Sequence, residues 1–250
     1  MEHWTDQGLV LHILPHGEGA AVLKLFTAER GLHAGYVHGA HSAAKRPLLE
    51  CGNLLQVEWN ARIDEQLGTF KLEIEQQFAA LIMGERIKMA ALSAACALLS
   101  ESLPEREPHP DLYQATCALL TIMAHGEDDI CVWGPPYVKW EIALLRELGF
   151  SLDFTRCAGG GSAQELGYIS PKSGCAVSYS AGEPYKDKLL PLPGFLKPNG
   201  APGDAEDVAR GLHMTGVFLD KWAFAQHTKG VPPARQALQD LFEITGQNEA

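Results

Sequence analysis

The sequence predicts an α+β multidomain protein in which a small β domain precedes a helical domain. Up to about residue 79, the apolar residues fall into five short runs that are rich in β-branched and aromatic residues and partly alternate with polar ones. After that residue the apolar positions recur at helical spacing. We therefore predict domains at 1–79 and 80–250, with a small β or loop insertion at about 157–180 in the second domain.

The first domain is predicted from its closely spaced strands. The last run, TFKLEIEQQF, alternates strictly between apolar and charged residues from Phe70 to Glu75, which is typical of a strand with one buried face. Five such runs favour a small sandwich or barrel, and the OB-fold is one five-stranded possibility. The predicted strands are 8–14, 21–27, 32–39, 54–63 and 69–78.

The second domain is predicted to consist of helices. Pro135 and Pro136 stand where the first turn of one helix is expected, and Gly149 stands just past its end. The other predicted helices are 80–102, 111–125, 205–227 and about 233–246.

The insertion contains the stretch RCAGGGSAQELGYISPKSGCAVS, which could be half of a metal site, an active-site loop or a connector. A structural zinc ion usually takes two pairs of ligands, and Cys157 and Cys175 each lack the second member of a pair. No Lys-Ser or Lys-Thr follows the glycines at 159–161, so a flexible turn is favoured over a phosphate-binding loop. We expect a small β excursion without metal.

A second candidate metal site lies in VHGAH, where His38 and His41 are spaced so that two imidazoles can come together. Such a site needs further ligands, and Glu50 and Cys51 are the nearest candidates. Surface histidines are the favoured interpretation. The sequence also lacks the usual motifs of nucleotide-binding and hydrolytic enzymes, so we expect neither a catalytic site nor a cofactor.

Charge and composition restrict the partners. The chain has 250 residues and a net charge of -11, so any contact with nucleic acid must be local. The start lacks the pattern of a secretory signal, and no run of about 20 apolar residues follows. Three of the six cysteines lie in or beside apolar helix-like runs, as buried thiols do in a reducing compartment. We expect a cytoplasmic protein that does not enter the membrane.

Several of these stretches together resemble one protein family over nearly the whole chain. The segments WEIALLRELGFSLDFTRCAGGG, LGYISPKSGCAVS and LLPLPGFL resemble the C-terminal part of RecO, the bacterial recombination mediator. The run GLVLHILPHGEGAAVLKLFTAERGLHAGYVHGAH resembles the opening of the same family, in the form found in Gram-negative bacteria. The resemblance implies an N-terminal OB-fold and a helical C-terminal domain. Some members carry a zinc-binding cysteine cluster there, and this chain retains only Cys157 and Cys175.

The resemblance also implies a function. Members of the family are not enzymes; they bind single- and double-stranded DNA and anneal complementary strands. Together with RecR they load RecA onto DNA that is coated by single-strand-binding protein, so a nucleoid-associated location is expected. A protein-only adaptor without direct DNA contact and an unrecognised enzyme are the alternatives.

Candidate DNA contacts lie in the predicted β domain. Residues 20–50 contain four basic and two acidic residues, whereas residues 1–80 contain six basic and ten acidic ones. Lys45 and Arg46 are the best candidates for phosphate contacts, and Tyr36 could stack on a base. Phe26 could also stack, but a core position is favoured. Lys24 and Arg30 complete the candidate set.

A candidate partner surface lies on the helix that begins near Pro135. Lys139 and Arg146 fall on one helical stripe, and with Trp140 they could hold an acidic, aromatic peptide with a free carboxylate. In the resembled family, the tail of single-strand-binding protein is such a ligand. The alternative is that Trp140 belongs to the core and that both cations are solvated.

Overall fold

The computed structural model describes residues 2–63, 66–198 and 200–248, with side-chain environments as far as residue 242. The chain forms two compact units. The first contains residues 1–125 and 232–235, and the second contains residues 126–231 and 236–250.

Five strands of the first unit form a closed barrel in the order β1-β2-β3-β5-β4. Neighbouring strands are antiparallel except for β3 and β5, which meet in parallel where Tyr36 lies opposite Thr69. This is the OB-fold arrangement, and it confirms the predicted fold class. The strands are β1 (Glu2–His16), β2 (Ala20–Thr27), β3 (Gly31–His38), β4 (Leu54–Ala61) and β5 (Thr69–Gln76).

Alternating apolar side chains fill the barrel. Leu23 and Leu25 of β2 point inward with Val37 of β3, and the rings of Trp59 and Phe70 close the interior. The first strand begins six residues earlier than predicted, because residues 2–7 pair with β4 although their apolar pattern is weak. Within this extension Trp4 stacks on Trp59, with ring centroids 5.5 Å apart.

Three helices complete the first unit: α1 (Phe78–Ile82), α2 (Arg86–Ser102) and α3 (Pro110–His125). The single helix predicted over 80–102 is therefore wrong, because the helical backbone is interrupted at 83–85 around Gly84. Helix α3 packs on the outside of the barrel, where Tyr113 meets the ring of Phe26 at a centroid distance of 5.4 Å. Phe26 is fully buried, which agrees with the favoured core interpretation.

The second unit is built around α4 (Ile130–Glu147) and α6 (Ala205–Phe218). These helices approach so closely that a Cβ atom on Gly134 would lie 2.7 Å from the Val208 side chain. The predicted start of α4 near Pro135 is wrong: Asp129 caps the helix by accepting a hydrogen bond from the Cys131 amide at 2.9 Å. Both prolines lie inside the helix, where their missing N–H groups leave two intrahelical hydrogen bonds unmade.

The β excursion predicted at about 157–180 contains two strands, β6 (Leu166–Ile169) and β7 (Ala176–Ser178). They belong to a three-stranded sheet in the order β7-β6-β8, whose third strand, β8 (Leu190–Pro191), lies beyond the predicted bounds. A short helix, α5 (Tyr179–Gly182), follows β7. After α6 the chain makes a π turn at Leu219–Ala223, and α7 (Pro233–Asn248) is the last helix. In the part of the chain that is described, no helix is both long and apolar enough to span a membrane.

Candidate nucleic-acid interface

The outer face of β1, β2 and β3 has one covered end and one bare end. At the covered end the Cys96 thiol of α2 lies 3.7 Å from the Val10 carbonyl of β1, and Phe26 lies against α3. At the bare end Leu14 leaves 53% of its surface exposed, and His16 is also exposed. An OB-fold binds oligonucleotides on the face of its second and third strands, together with the loops that follow strands one and four. The bare end is part of that face.

Strand register brings an imidazole and a phenol together at this bare end. Tyr36 of β3 lies opposite Val22 of β2, which in turn lies opposite Leu14 of β1. Two residues further along, Ala20 separates His16 from His38. The rings of His16 and Tyr36 have centroids 5.1 Å apart and are tilted by 56°. The pair offers a partly exposed aromatic surface of the kind on which nucleobases stack.

A groove continues from Tyr36 towards the connection between β4 and β5. It has a volume of about 520 Å³ and is lined by Tyr36, Asn60, Ala61, Arg62, Gln66, Leu67, Gly68 and Thr69. The side chains of Arg62 and Gln66 are exposed at its edge. The groove is therefore lined by a cation and an amide as well as by Tyr36.

The groove is held in shape by hydrogen bonds from three different elements. The Tyr36 amide donates to the Gly68 carbonyl at 2.9 Å, and the buried Trp59 indole donates to the Leu67 carbonyl at 3.0 Å. Arg106, which precedes α3, donates to the Gln66 carbonyl at 3.3 Å. Gly68 has a φ of +64°, and a Cβ atom there would lie 2.4 Å from the Trp59 ring. Only glycine therefore fits both the backbone conformation and the space at this position.

Lys45 and Arg46 lie near the bare end, in the loop between β3 and β4. The Lys45 ammonium donates to the His38 carbonyl at 2.7 Å, which places its charge at the end of β3. Arg46 begins a 3₁₀ turn, Arg46–Leu49, and is exposed. Lys45 thus lies at the end of the strand that contains Tyr36, whereas Arg46 lines a cavity with His41 and Cys51.

Lys24 and Arg30 lie elsewhere on the β2–β3 hairpin. The Lys24 ammonium donates to the Ser100 carbonyl of α2 at 3.3 Å and lies 3.9 Å from Glu105. Arg30 is in the turn after β2, with its guanidinium 5.9 Å from the centroid of the Trp4 ring. Val22 of β2 pairs with Tyr36, and Thr27 is the last residue of β2 before this turn. About five residues of extended strand, or about 17 Å, separate them.

One further cation of the barrel is paired with a carboxylate. Lys71 of β5 donates to Glu58 of β4 at 2.8 Å. Together with the Asn60 amide, this hydrogen bond lowers the pKa of Glu58. The Lys71 charge is therefore already compensated beside the groove.

The second candidate metal site resolves into an apolar cavity. His41, Glu50 and Cys51 line it together with Arg46 and Met83. Burial raises the pKa of the Cys51 thiol. Over the described residues, no group of three or more His, Cys, Asp or Glu side chains has a geometry that could hold a metal ion.

The cysteines of the insertion have separate surroundings. The Cys157 sulfur accepts a hydrogen bond from the Ser178 amide at 3.2 Å, whereas the Cys175 thiol lies 3.6 Å from the Ser173 carbonyl. Partial burial raises the pKa of Cys157, but hydrogen bonds from Ser178, Gly161 and Gly159 outweigh it and lower the pKa to about 7. This sulfur is held by donors that favour a thiolate.

On α4, the three residues predicted to bind a peptide do not share one surface. Lys139 and Arg146 are exposed, two helical turns and about 10 Å apart on the same stripe. Trp140 is only 2% exposed and lies 5.7 Å from the Tyr137 ring. Its ring is part of the core, so only the two cations face solvent.

Sequence reasoning misses His16, Leu14 and Arg62. Each falls in a predicted turn or at a predicted strand end, and a hydropathy pattern does not show which ends of a barrel are covered. The available signal is the OB-fold itself, which places binding residues at the ends of the first and fourth strands.

Comparisons with known proteins agree with this architecture. The family described as "Recombination protein O N terminal" matches residues 1–78, and "Recombination protein O C terminal" matches residues 83–225. A DNA repair protein RecO of Rhodospirillum centenum is 49% identical over 241 residues, which cover 96% of this chain and 94% of the relative. Proteins of the same name from Rhodospirillum rubrum and Methylobacterium nodulans are 42% and 43% identical, with at least 94% of each chain covered.

Proposed function

Because the chain belongs to the RecO family of DNA repair proteins, we propose that it is a recombination mediator that contacts DNA through the bare end of its barrel. In this proposal it binds single- and double-stranded DNA and anneals complementary strands. With RecR it helps to load RecA onto DNA that is coated by single-strand-binding protein.

The observation that supports DNA contact is the combination of an aromatic pair, a groove and nearby cations. The rings of His16 and Tyr36 offer stacking surfaces, and the groove beside them has room for a base. Stacking does not depend on base identity, so this surface suits a protein that handles strands of any sequence.

Phosphate contacts are proposed for the cations around this surface. Lys45 lies at the end of β3, Arg46 follows it in the same loop, and Arg62 lies at the edge of the groove. Lys24 and Arg30 would meet only a strand that follows the β2–β3 hairpin along its length. Because the chain has a net charge of -11, repulsion elsewhere would confine a strand to this local surface.

A separate partner surface is proposed on α4. Lys139 and Arg146 project from one stripe of the helix and can bind the carboxylates of an acidic peptide tail, such as that of single-strand-binding protein. Trp140 would support the helix from the core rather than touch the peptide, since its ring is buried.

The proposal is tested by measuring the affinity of a fluorescent single-stranded oligonucleotide by anisotropy. We expect Tyr36→Ala to weaken binding by about 5- to 150-fold, as the loss of one stacked base does. Tyr36→Phe keeps the ring and should bind within about two-fold of the natural chain. An annealing assay on the same variants should show the same order.

Two results would contradict the proposal. Equal affinities for Tyr36→Ala and the natural chain would exclude stacking on this ring. An absence of binding at low salt would leave an adaptor that reaches DNA only through other proteins.

A further inference from the structure

A second aromatic and basic surface lies on the inserted sheet of the second unit and on the segments that adjoin it. We define the tyrosine–lysine patch as Tyr168, Tyr179, Lys186 and Lys197. Tyr179 leaves 52% of its surface exposed, and its ring lies 5.6 Å from that of Tyr168 in a T-shaped contact. These rings are not involved in the contacts proposed above.

Two glycines, Gly167 of β6 and Gly182 of α5, leave room for these rings. A Cβ atom on Gly167 would lie 2.3 Å from the Tyr179 ring, and one on Gly182 would lie 2.5 Å from the Tyr168 ring. Neither glycine has a φ in the left-handed region, so the backbone does not require glycine there. Glycine is required at both positions because a tyrosine ring lies too close for a Cβ atom. Gly167 covers one part of the Tyr179 ring, and the exposed 52% of the residue is free to meet a ligand.

One lysine lies against the Tyr179 ring, and another lies in the turn that follows α5. The Lys197 ammonium lies 5.2 Å from the centroid of the Tyr179 ring and donates to its hydroxyl at 3.1 Å. Lys186 lies in the 3₁₀ turn Glu183–Lys188 and donates to Glu183 at 3.0 Å. That carboxylate raises the pKa of Lys186 and compensates its charge, so Lys197 is the main phosphate-binding candidate of the patch.

The local charge is opposite to that of the whole chain. Residues 166–198 contain four lysines and two acidic residues, whereas the chain has a net charge of -11. Exposed aromatic rings between ammonium groups are the combination with which proteins hold single strands, because bases stack while phosphates meet the cations. An acidic peptide without aromatic residues would use the cations but would leave the exposed part of the Tyr179 ring without a planar partner.

We propose that the tyrosine–lysine patch binds single-stranded nucleic acid independently of the barrel face. The inference rests on the proposed function and adds to it a second strand-binding surface on the same molecule. An annealing protein with two such surfaces can hold two strands at once, which raises the effective concentration of one strand for the other.

Photo-cross-linking tests the location directly. Oligonucleotides of about eight nucleotides that carry 5-iodouracil are irradiated with the natural full-length protein, and the linked peptides are identified by mass spectrometry. We expect linked peptides that contain Tyr179 in addition to peptides that contain Tyr36. This measurement needs no variant, so it remains decisive if a substitution prevents folding.

Stoichiometry provides the second test. At low salt the natural chain should bind two short oligonucleotides, and Tyr179→Ala/Lys197→Ala should bind one. The matched control is Lys172→Ala, which removes one charge from an exposed lysine of the same unit outside the patch and should still bind two. Circular dichroism and thermal melting establish that each variant is folded.

The outcomes separate this inference from the proposed function. Cross-links at Tyr36 without any at Tyr179, or unchanged stoichiometry in the patch variant, would overturn the second surface and leave the barrel face intact. Cross-links at Tyr179 alone would support the patch and refute the barrel face. Protection of Lys197 by an acidic peptide, with no nucleic-acid cross-link, would assign the patch to a protein ligand and overturn the inference.

Discussion

Gly68 is the residue on which the shape of the candidate DNA groove depends most directly. Its φ is +64°, and an added Cβ atom would lie 2.4 Å from the Trp59 ring, so Gly68→Ala should be strongly destabilising. The left-handed conformation alone costs an alanine about 1–2 kcal/mol. Pushing the buried ring aside adds about 1–3 kcal/mol of overpacking. Breaking the Trp59 hydrogen bond to Leu67 adds about 1–3 kcal/mol more.

Gly17 supplies a matched control for the conformational cost. It has a φ of +62°, but no atom lies within 4 Å of a Cβ at that position. Gly17→Ala should therefore lose only the backbone contribution of about 1–2 kcal/mol. The difference between the two variants isolates packing against Trp59 and its hydrogen bond to Leu67, and we expect Gly68→Ala to be less stable by about 2–6 kcal/mol.

Urea unfolding, followed by both tryptophan fluorescence and circular dichroism, measures these free energies. Since the Tyr36 amide donates to the Gly68 carbonyl, Gly68→Ala should also weaken oligonucleotide binding under conditions where the protein remains folded. Equal destabilisation by Gly68→Ala and Gly17→Ala would refute the packing argument. Full oligonucleotide affinity in folded Gly68→Ala would show that the groove does not position the binding residues.

Three further predictions concern other parts of the chain. Cys157 should be alkylated by iodoacetamide faster than the other cysteines, as measured by mass spectrometry. The alkylation rate should be half-maximal near pH 7 and should fall at lower pH, because the thiolate is then protonated. Trp140→Ala should lower the free energy of unfolding by about 3–5 kcal/mol in urea titrations, because it empties a core site. The double variant Lys139→Ala/Arg146→Ala should change the free energy of unfolding by less than about 0.5 kcal/mol. It should weaken the binding of an acidic peptide in calorimetric titrations. Unchanged peptide affinity would contradict the proposed partner surface.

The strands of the barrel were predictable because apolar and polar residues alternate along a strand that has one buried face. All five candidate runs correspond to strands. The first half of β1 was not predictable, since its pairing with β4 depends on backbone hydrogen bonds that a side-chain pattern does not show. The start of α4 is misplaced by the sequence pattern for a related reason: prolines usually mark a first turn, but Asp129 caps this helix upstream and its packing tolerates them.

The candidate site was only partly predictable. Residue type and resemblance indicate Tyr36 and Lys45, and the structure brings both to the bare end of the barrel. Lys24 could not be distinguished from them, because its contact with Ser100 joins residues that are far apart in the sequence. Trp140 shows the same limit, since only tertiary packing decides whether an aromatic residue beside two cations faces a ligand or the core.

The salt dependence of single-strand binding tests the proposed barrel interface most directly. For single strands, the logarithm of the binding constant falls with the logarithm of salt concentration by about 0.7 for each neutralised phosphate. If Lys45 and Arg46 each contact a phosphate, Lys45→Ala/Arg46→Ala should bind more weakly with a slope that is shallower by about 1.4. Identical slopes and affinities in the natural chain and the double variant would contradict the account.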